Sequence, residues 1–194
     1  MQQLPDYGVY LHGDMPITEK MFVRERLICL AKAKPGSIIL DIGCGRGLVA
    51  IGFAATVPRC EVYAIDCWNQ DEIVDNSSKW VLNNARLERI DERLFAKSGD
   101  ARALPFSDNY FDIVVSNLVI HNLEPEGQLQ SYSEMHRVLK PGGMVIYSDI
   151  DKREQVKRAW SEFLHLGFQG ICAHHILQLV SDPPIYLRAL VAYK

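Results

Sequence analysis

Ile38, Ile39 and Leu40 run into an acid, Asp41, and from Gly43 a glycine recurs at every second position, at Gly45 and Gly47. The apolar run, set off by Pro35-Gly36, reads as a buried strand over about 38–42. Leu48-Val49-Ala50-Ile51-Gly52-Phe53 then reads as the start of a helix running from about 47 to 56, ended by Val57-Pro58. A strand, a tight glycine turn and a helix N-terminus let bare backbone approach a ligand, where side chains would block it. The spacing is G-x-G-x-G, and Leu48 stands where the third glycine of a dinucleotide fingerprint would fall. Asp41, two residues before the first glycine, would repel a pyrophosphate and attract an amino group. The pattern leans toward a nucleoside with a zwitterionic tail.

The chain has 194 residues, enough for one domain with a substantial core, and 48% hydrophobic residues weigh against disorder. A net charge of -3 offers no bulk attraction for nucleic acid. The densest basic cluster, Lys152, Arg153, Lys157 and Arg158, is broken by Glu154 and reads as a solvated helix face. Five cysteines (Cys29, Cys44, Cys60, Cys67, Cys172) form no CxxC, so reduced thiols of a cytoplasmic protein are expected, with no metal site. His174-His175 would point to opposite faces of a strand and chelate poorly. Met1 to Asp6 lacks the basic and apolar regions of a signal peptide, and no apolar run is long enough for a membrane span.

Further elements follow in alternation. Ile17–Ala33 has a helical pattern, with Met21, Phe22, Leu27, Ile28 and Leu30 expected on one face and Thr18 as a helper at the cap. Strands are expected at 61–66, 93–97, 111–117 and 144–149, and less sharply near 168–173 and 185–193. Helices are expected from about Asp75 to Arg89, from Pro125 until Pro141-Gly142-Gly143 stops it, and from Lys152 to Leu166. Leu129, Tyr132, Met135 and Leu139 recur at helical spacing in the second of these; Val156, Trp160, Phe163 and Leu164 are expected on the core face of the third. Strands alternating with helices predict an α/β, doubly wound, mostly parallel sheet with helices on both faces. Ligands of such sheets bind beyond the C-terminal strand ends, which singles out Gly43, Asp66, Asn117 and Asp149. Asp66 can accept from both hydroxyls of a ribose. After the third strand, Asp100 could accept from an exocyclic amine while the Ala101 N–H donates to a ring nitrogen, which together read an adenine edge.

With those residues in hand, the chain resembles the class I S-adenosylmethionine-dependent methyltransferases, and especially the small ubiquinone/menaquinone-biosynthesis-like members. The matching stretches are Leu40 to Gly47, Ala64-Ile65-Asp66, Gly99-Asp100-Ala101 with Leu104-Pro105-Phe106, Phe111 to Asn117, and His136 to Gly143. The resemblance implies a Rossmann-like methyltransferase fold of seven strands with the last antiparallel. It implies one domain over 16–194, and a segment 1–15 (Tyr7, Tyr10, His12) that folds over the donor as a lid or else stays a tail. The implied cofactor is S-adenosylmethionine, with S-adenosylhomocysteine as product. Asp41, Gly43, Cys44 and Gly45 would cradle the methionine part, Asp66 the ribose, Cys67 and Trp68 the faces of the adenine, and Asp100 and Ala101 its edge. Asn117 would lie near the methionine end.

Methyl transfer from a sulfonium is an in-line displacement that needs alignment first and a base only where the nucleophile holds a proton. His121, just past the fourth strand, is the candidate base. Asp149 would face the substrate or cap the next helix. The short connection after Asp149 leaves no room for a capping insertion and implies an open site. The expected partner is a small-molecule methyl acceptor of unassigned identity, with no nucleic acid and with an oligomer left open. The alternative is a protein of the same fold that binds S-adenosylmethionine without methyl transfer, as a sensor or structural element.

Overall fold

The computed structural model describes residues 5–7, 15–70, 73, 75–179 and 184–194. Five helices and seven strands alternate among these residues: α1 (Ile17–Ala31), β1 (Ile38–Ile42), α2 (Leu48–Thr56), β2 (Glu61–Asp66), α3 (Ser78–Leu87), β3 (Leu94–Ser98), β4 (Phe111–Asn117), α4 (Pro125–Val138), β5 (Leu139–Ile150), α5 (Arg153–His165), β6 (Gln169–Leu179) and β7 (Ile185–Tyr193). The strands form one sheet in the order β3-β2-β1-β4-β5-β7-β6. Neighbours from β3 to β5 pair in parallel, and β7 runs antiparallel to both β5 and β6. This is the expected doubly wound architecture.

The two-residue period of the strands sorts the core into two layers. Ile39 of β1, Ile113 and Val115 of β4 and Ile146 of β5 pack under α1, α2 and α3, against Leu27, Phe53 and Val81. Leu40 and Ile42 of β1, Val114 of β4 and Val145 and Tyr147 of β5 pack under α4 and α5, against Tyr132, Met135 and Phe163. Asp41 shares the parity of Ile39, so it is carried onto the α2 face. No described helix is long and apolar enough to cross a membrane.

Several boundaries differ from expectation for local reasons. Pro16, not Thr18, opens α1: its carbonyl accepts from the Glu19 and Lys20 N–H groups, both at 3.0 Å, and no side chain caps the helix. Helix α3 begins at Ser78, because Asp75 takes a left-handed turn conformation (φ 52°) and Ser77 is still extended. Helix α4 ends at Val138, before Pro141-Gly142-Gly143. Leu139 already pairs with Phe111, and the Pro-Gly-Gly run is a shift of register within β5 that Gly142 accommodates at φ 78°. The buried stripes are narrower than the apolar pattern: Phe22, Leu129 and Leu164 face solvent, while Val23, Val138 and Ala159 take core positions. Strand β6 is longer than expected because its whole length pairs with β7, and such pairing is invisible to local periodicity.

Candidate functional site

A cavity of about 740 Å³ opens beyond the C-terminal ends of the strands. Asp41, Gly43, Cys44, Gly45, Asp66, Cys67, Asp100, Ala101, Asn117 and His121 all line it. Trp68 is absent from that lining. Its backbone is left-handed (φ 59°), its indole Nε1–H donates to Ser98 Oγ at 2.8 Å, and its ring packs against the apolar core.

The glycine turn has a reason at each end. Gly43 and Cys44 donate their N–H groups to the Ile65 carbonyl at 2.8 and 2.9 Å, which ties the turn to β2. Gly43 sits at φ 69°, and a Cβ there would run into the Val119 side chain. Gly47, at φ 89°, is the N-cap of α2 and has no side chain to cap it. Asp41 supplies the missing acceptor from below: its Oδ2 takes the Ala50 N–H at 2.9 Å. Only 2% of Asp41 is exposed, and burial, with the Asp66 carboxylate adding to it, pushes its carboxyl up to about 7 against the lowering bond from Ala50.

Asp66 is buried beside it and accepts three hydrogen bonds. Oδ2 takes the Gly45 N–H at 2.8 Å; Oδ1 takes the Trp68 N–H at 2.7 Å and Asn76 Nδ2 at 3.2 Å. Burial raises this carboxyl while those bonds pull it down. A carboxylate offers about four acceptor positions, so one remains on Oδ2. Burial, with Asp41 and Asp66 nearby, also raises the Cys44 thiol well above its usual value, which keeps it protonated.

Asp100 is held by Arg102, whose Nη2 lies 2.6 Å from Oδ2 and whose N–H reaches Oδ1 at 2.8 Å. The guanidinium holds that carboxyl below its usual range. Both side chains are well exposed, so this pair yields at little cost. Two amide oxygens at the cavity, Asn76 Oδ1 and Asn117 Oδ1, are buried and have no hydrogen-bond partner among the described residues.

His121 follows β4 and lines the cavity. Its Nδ1 stands 2.6 Å from Asp149 Oδ1, and its backbone N–H donates to Asp149 Oδ2 at 3.1 Å. Asp149, 2% exposed, also accepts the Ile150 N–H at 2.8 Å. The carboxylate therefore neither faces the cavity nor caps α5, whose N-cap is Lys152; it fixes an imidazole.

The chain's start reaches the same place. Tyr7 lines the cavity and donates its hydroxyl to Glu88 Oε1 at 2.7 Å; Tyr10 and His12 lie outside the described residues. Asn84, fully buried in α3, exchanges hydrogen bonds with the Asp6 backbone at 3.0 and 2.7 Å and donates to the Arg46 carbonyl at 3.0 Å. Arg46 pairs with Asp6 at 2.6 Å and lies 4.2 Å over the Trp80 ring.

Sequence reasoning missed Arg46, Asn76 and Ile73, which fall in or after the glycine loop and in the polar stretch after β2. It also missed Met15, Ile150, Leu179, Ile185 and Leu187. The last four meet through the antiparallel pairing of β7 with β5 and β6, in which Leu187 lies opposite Ile150. Their apolar character was legible, but their meeting was not.

Residues 40–147 match the family described as a methyltransferase domain. The chain belongs to that family, the class I S-adenosylmethionine-dependent methyltransferases. It is 34% identical over 140 residues to the ubiquinone/menaquinone biosynthesis C-methyltransferase UbiE of Burkholderia mallei, covering 70% of this chain and 53% of the relative. It is 35% identical over 115 residues to an uncharacterized methyltransferase of Schizosaccharomyces pombe, covering 58% and 40%. The chain thus spans about half the length of these curated relatives. A solved S-adenosylmethionine-dependent methyltransferase of Aquifex aeolicus shares the fold at a TM-score of 0.67 and 19% identity, over 92% of this chain and 93% of that one.

Proposed function

We propose that the chain transfers a methyl group from S-adenosylmethionine to a small-molecule acceptor in this cavity. The observation that carries the reading is that two buried carboxylates, Asp41 and Asp66, line one cavity together with the glycine turn between them. The residues fit the cofactor. The turn makes a cradle that a side chain at Gly43 would spoil, Asn117 Oδ1 lacks a partner among the described residues, and Asp66 keeps a free acceptor position.

In this reading Asp41 faces the ammonium of the methionine part, and Asn117 takes a polar group at the same end. Asp66 holds the ribose. Asp100, once released by Arg102, and the Ala101 N–H read the adenine edge, with Cys67 beside the ring. When bound, the cofactor supplies a methyl group already activated by the positive charge on its sulfur. The chain's own work is then alignment and exclusion of water, which can contribute about 7–11 kcal/mol to the barrier. His121, fixed through Nδ1 by Asp149, receives the acceptor's proton at Nε2. The test is incubation with methyl-labelled S-adenosylmethionine and a metabolite panel. Labelled product with release of S-adenosylhomocysteine is expected; binding without turnover across broad panels would count against methyl transfer.

A further inference from the structure

The strand order divides the cavity into two chemically different sides. Over β3, β2 and β1, the polar side, the lining carries the charged side chains Asp41, Arg46, Asp66, Asp100 and Arg102, set among aliphatic ones such as Ile42, Ile65 and Ile73. Over β4, β5, β7 and β6 the described lining is mostly apolar, with Val119, Leu123, Ile150, Leu179, Ile185 and Leu187, and its polar members, Asn117, His121 and Asn122, gather at the end of β4. Both cationic side chains among the described lining residues, Arg46 and Arg102, stand on the polar side and are engaged there with Asp6 and Asp100. Among the described lining residues, the ionisable groups that accompany the apolar wall are His121 and, from the first turn of α1, Glu19.

We infer that the acceptor is an uncharged, largely apolar molecule carrying a hydroxyl. The inference rests on the methyltransferase reading of the same cavity. An anionic acceptor would lose its water against six aliphatic side chains, meet no cationic side chain among the described lining residues on that side, and feel the carboxylate of Glu19. Phosphate and carboxylate substrates are disfavoured on these grounds, and so is a polyanionic nucleic-acid backbone. An apolar body instead gains free energy in proportion to the area it buries. A single hydroxyl then has a specific place to go, the imidazole held by Asp149. In the transfer, a lone pair of the hydroxyl oxygen forms the new O–C bond. The methyl–sulfur bond breaks, its electron pair stays on sulfur, and the hydroxyl proton passes to His121.

The probes share one naphthalene ring and differ in the charge of a small 2-substituent: 2-naphthol, 2-naphthoate and 2-naphthylmethylammonium. Binding of each is measured by calorimetry to the whole protein saturated with S-adenosylhomocysteine. The neutral naphthol should bind at least about tenfold tighter than either ion. Ile185→Lys, at a position 38% exposed, should shrink or reverse the naphthol preference over naphthoate. Affinity for S-adenosylhomocysteine, read on the polar side, is the control and should hold. Equal or tighter binding of either ion, or no naphthol binding while S-adenosylhomocysteine binds normally, overturns the acceptor class. Failure to bind S-adenosylhomocysteine at all would overturn the methyltransferase reading itself.

Discussion

Asp41 Oδ2 and the Ala50 N–H meet at 2.9 Å, so the carboxylate at the end of β1 caps the helix that Gly47 leaves uncapped. A capping carboxylate near a helix N-terminus is ordinarily stabilising. Here burial outweighs it, and the carboxyl titrates at about 7 instead of 3.8. The ligand-free protein therefore carries a group that resists ionisation, in the place where the proposed ligand brings a positive charge.

The sign of the resulting pH dependence follows from linkage. The folded-state value is raised, so Asp41 costs nothing below about pH 4, where both states hold the proton. The cost grows between 4 and 7 as the unfolded chain alone ionises, and it is complete above 7. Three units at about 1.4 kcal/mol each put the upper bound on the order of 4 kcal/mol. Asp41→Asn keeps an acceptor for the Ala50 N–H and removes the charge. Urea denaturation without ligand should show the variant gaining on the wild type from pH 5 to pH 8. A gap that does not change with pH would show that Asp41 is not buried as a titrating acid.

Ligand affinity should run in the opposite sense. An ammonium beside Asp41 stabilises the ionised carboxylate, so binding of S-adenosylhomocysteine below pH 7 must expel a proton. Affinity should rise roughly tenfold from pH 6 to pH 8, with proton release visible as a dependence of the binding heat on buffer ionisation enthalpy. Asp41→Asn should flatten the profile.

Asp66→Ala should weaken binding of S-adenosylhomocysteine by about 1–3 kcal/mol, the range for leaving a buried hydrogen-bonding group without its partner. The Gly45 N–H and Asn76 lose their acceptor in the same variant, so the glycine turn loosens as well. Asp66→Asn retains one acceptor oxygen and should fall between the two. Calorimetry showing wild-type affinity for Asp66→Ala would take the ribose away from this residue.

What could be read in advance was whatever is local. Strands β1, β2 and β4 are short apolar runs between turn residues, and their ends placed Asp41, Asp66 and Asn117 at one crevice. The role of Asp149 was not legible, because it depends on the register that sets β5 beside β4 and brings Asp149 under His121. The resemblance places Trp68 at the adenine, with packing under a loop as the alternative. A positive φ and the bond to Ser98 give its ring other neighbours, and nothing in its sequence surroundings foretells a left-handed tryptophan. The apolar wall of Ile150, Leu179, Ile185 and Leu187 depends on β7 pairing antiparallel with both its sequence neighbour β6, where Leu179 lies opposite Ile185, and the distant β5, where Ile150 lies opposite Leu187.

His121 and Asp149 should separate chemistry from binding. His121→Ala is expected to lower turnover by about 100- to 10,000-fold, the usual contribution of a positioned base, with S-adenosylhomocysteine affinity close to wild type. Asp149→Asn leaves the ring in place but removes the charge that orients it, and should lower turnover less while changing its pH profile. Steady-state rates alongside calorimetry distinguish the two effects. Equal losses of binding and turnover would make the pair structural.

Gly43 offers a test of the cradle that is read from stability, with no ligand present. Alanine at this position must hold φ near 69° and force its Cβ into the Val119 side chain. The first term alone costs roughly 1 kcal/mol and overpacking commonly adds about 1–3. Gly43→Ala should therefore lower stability measurably and shift the turn that carries the Gly45 N–H to Asp66. Adding Val119→Ala relieves the overpacking but not the backbone strain, so the double variant should recover part of the loss. The coupling energy from the four denaturation curves measures that part. Strict additivity would mean that Val119 moves aside without cost and that the close approach of β4's loop to the turn is not what demands glycine.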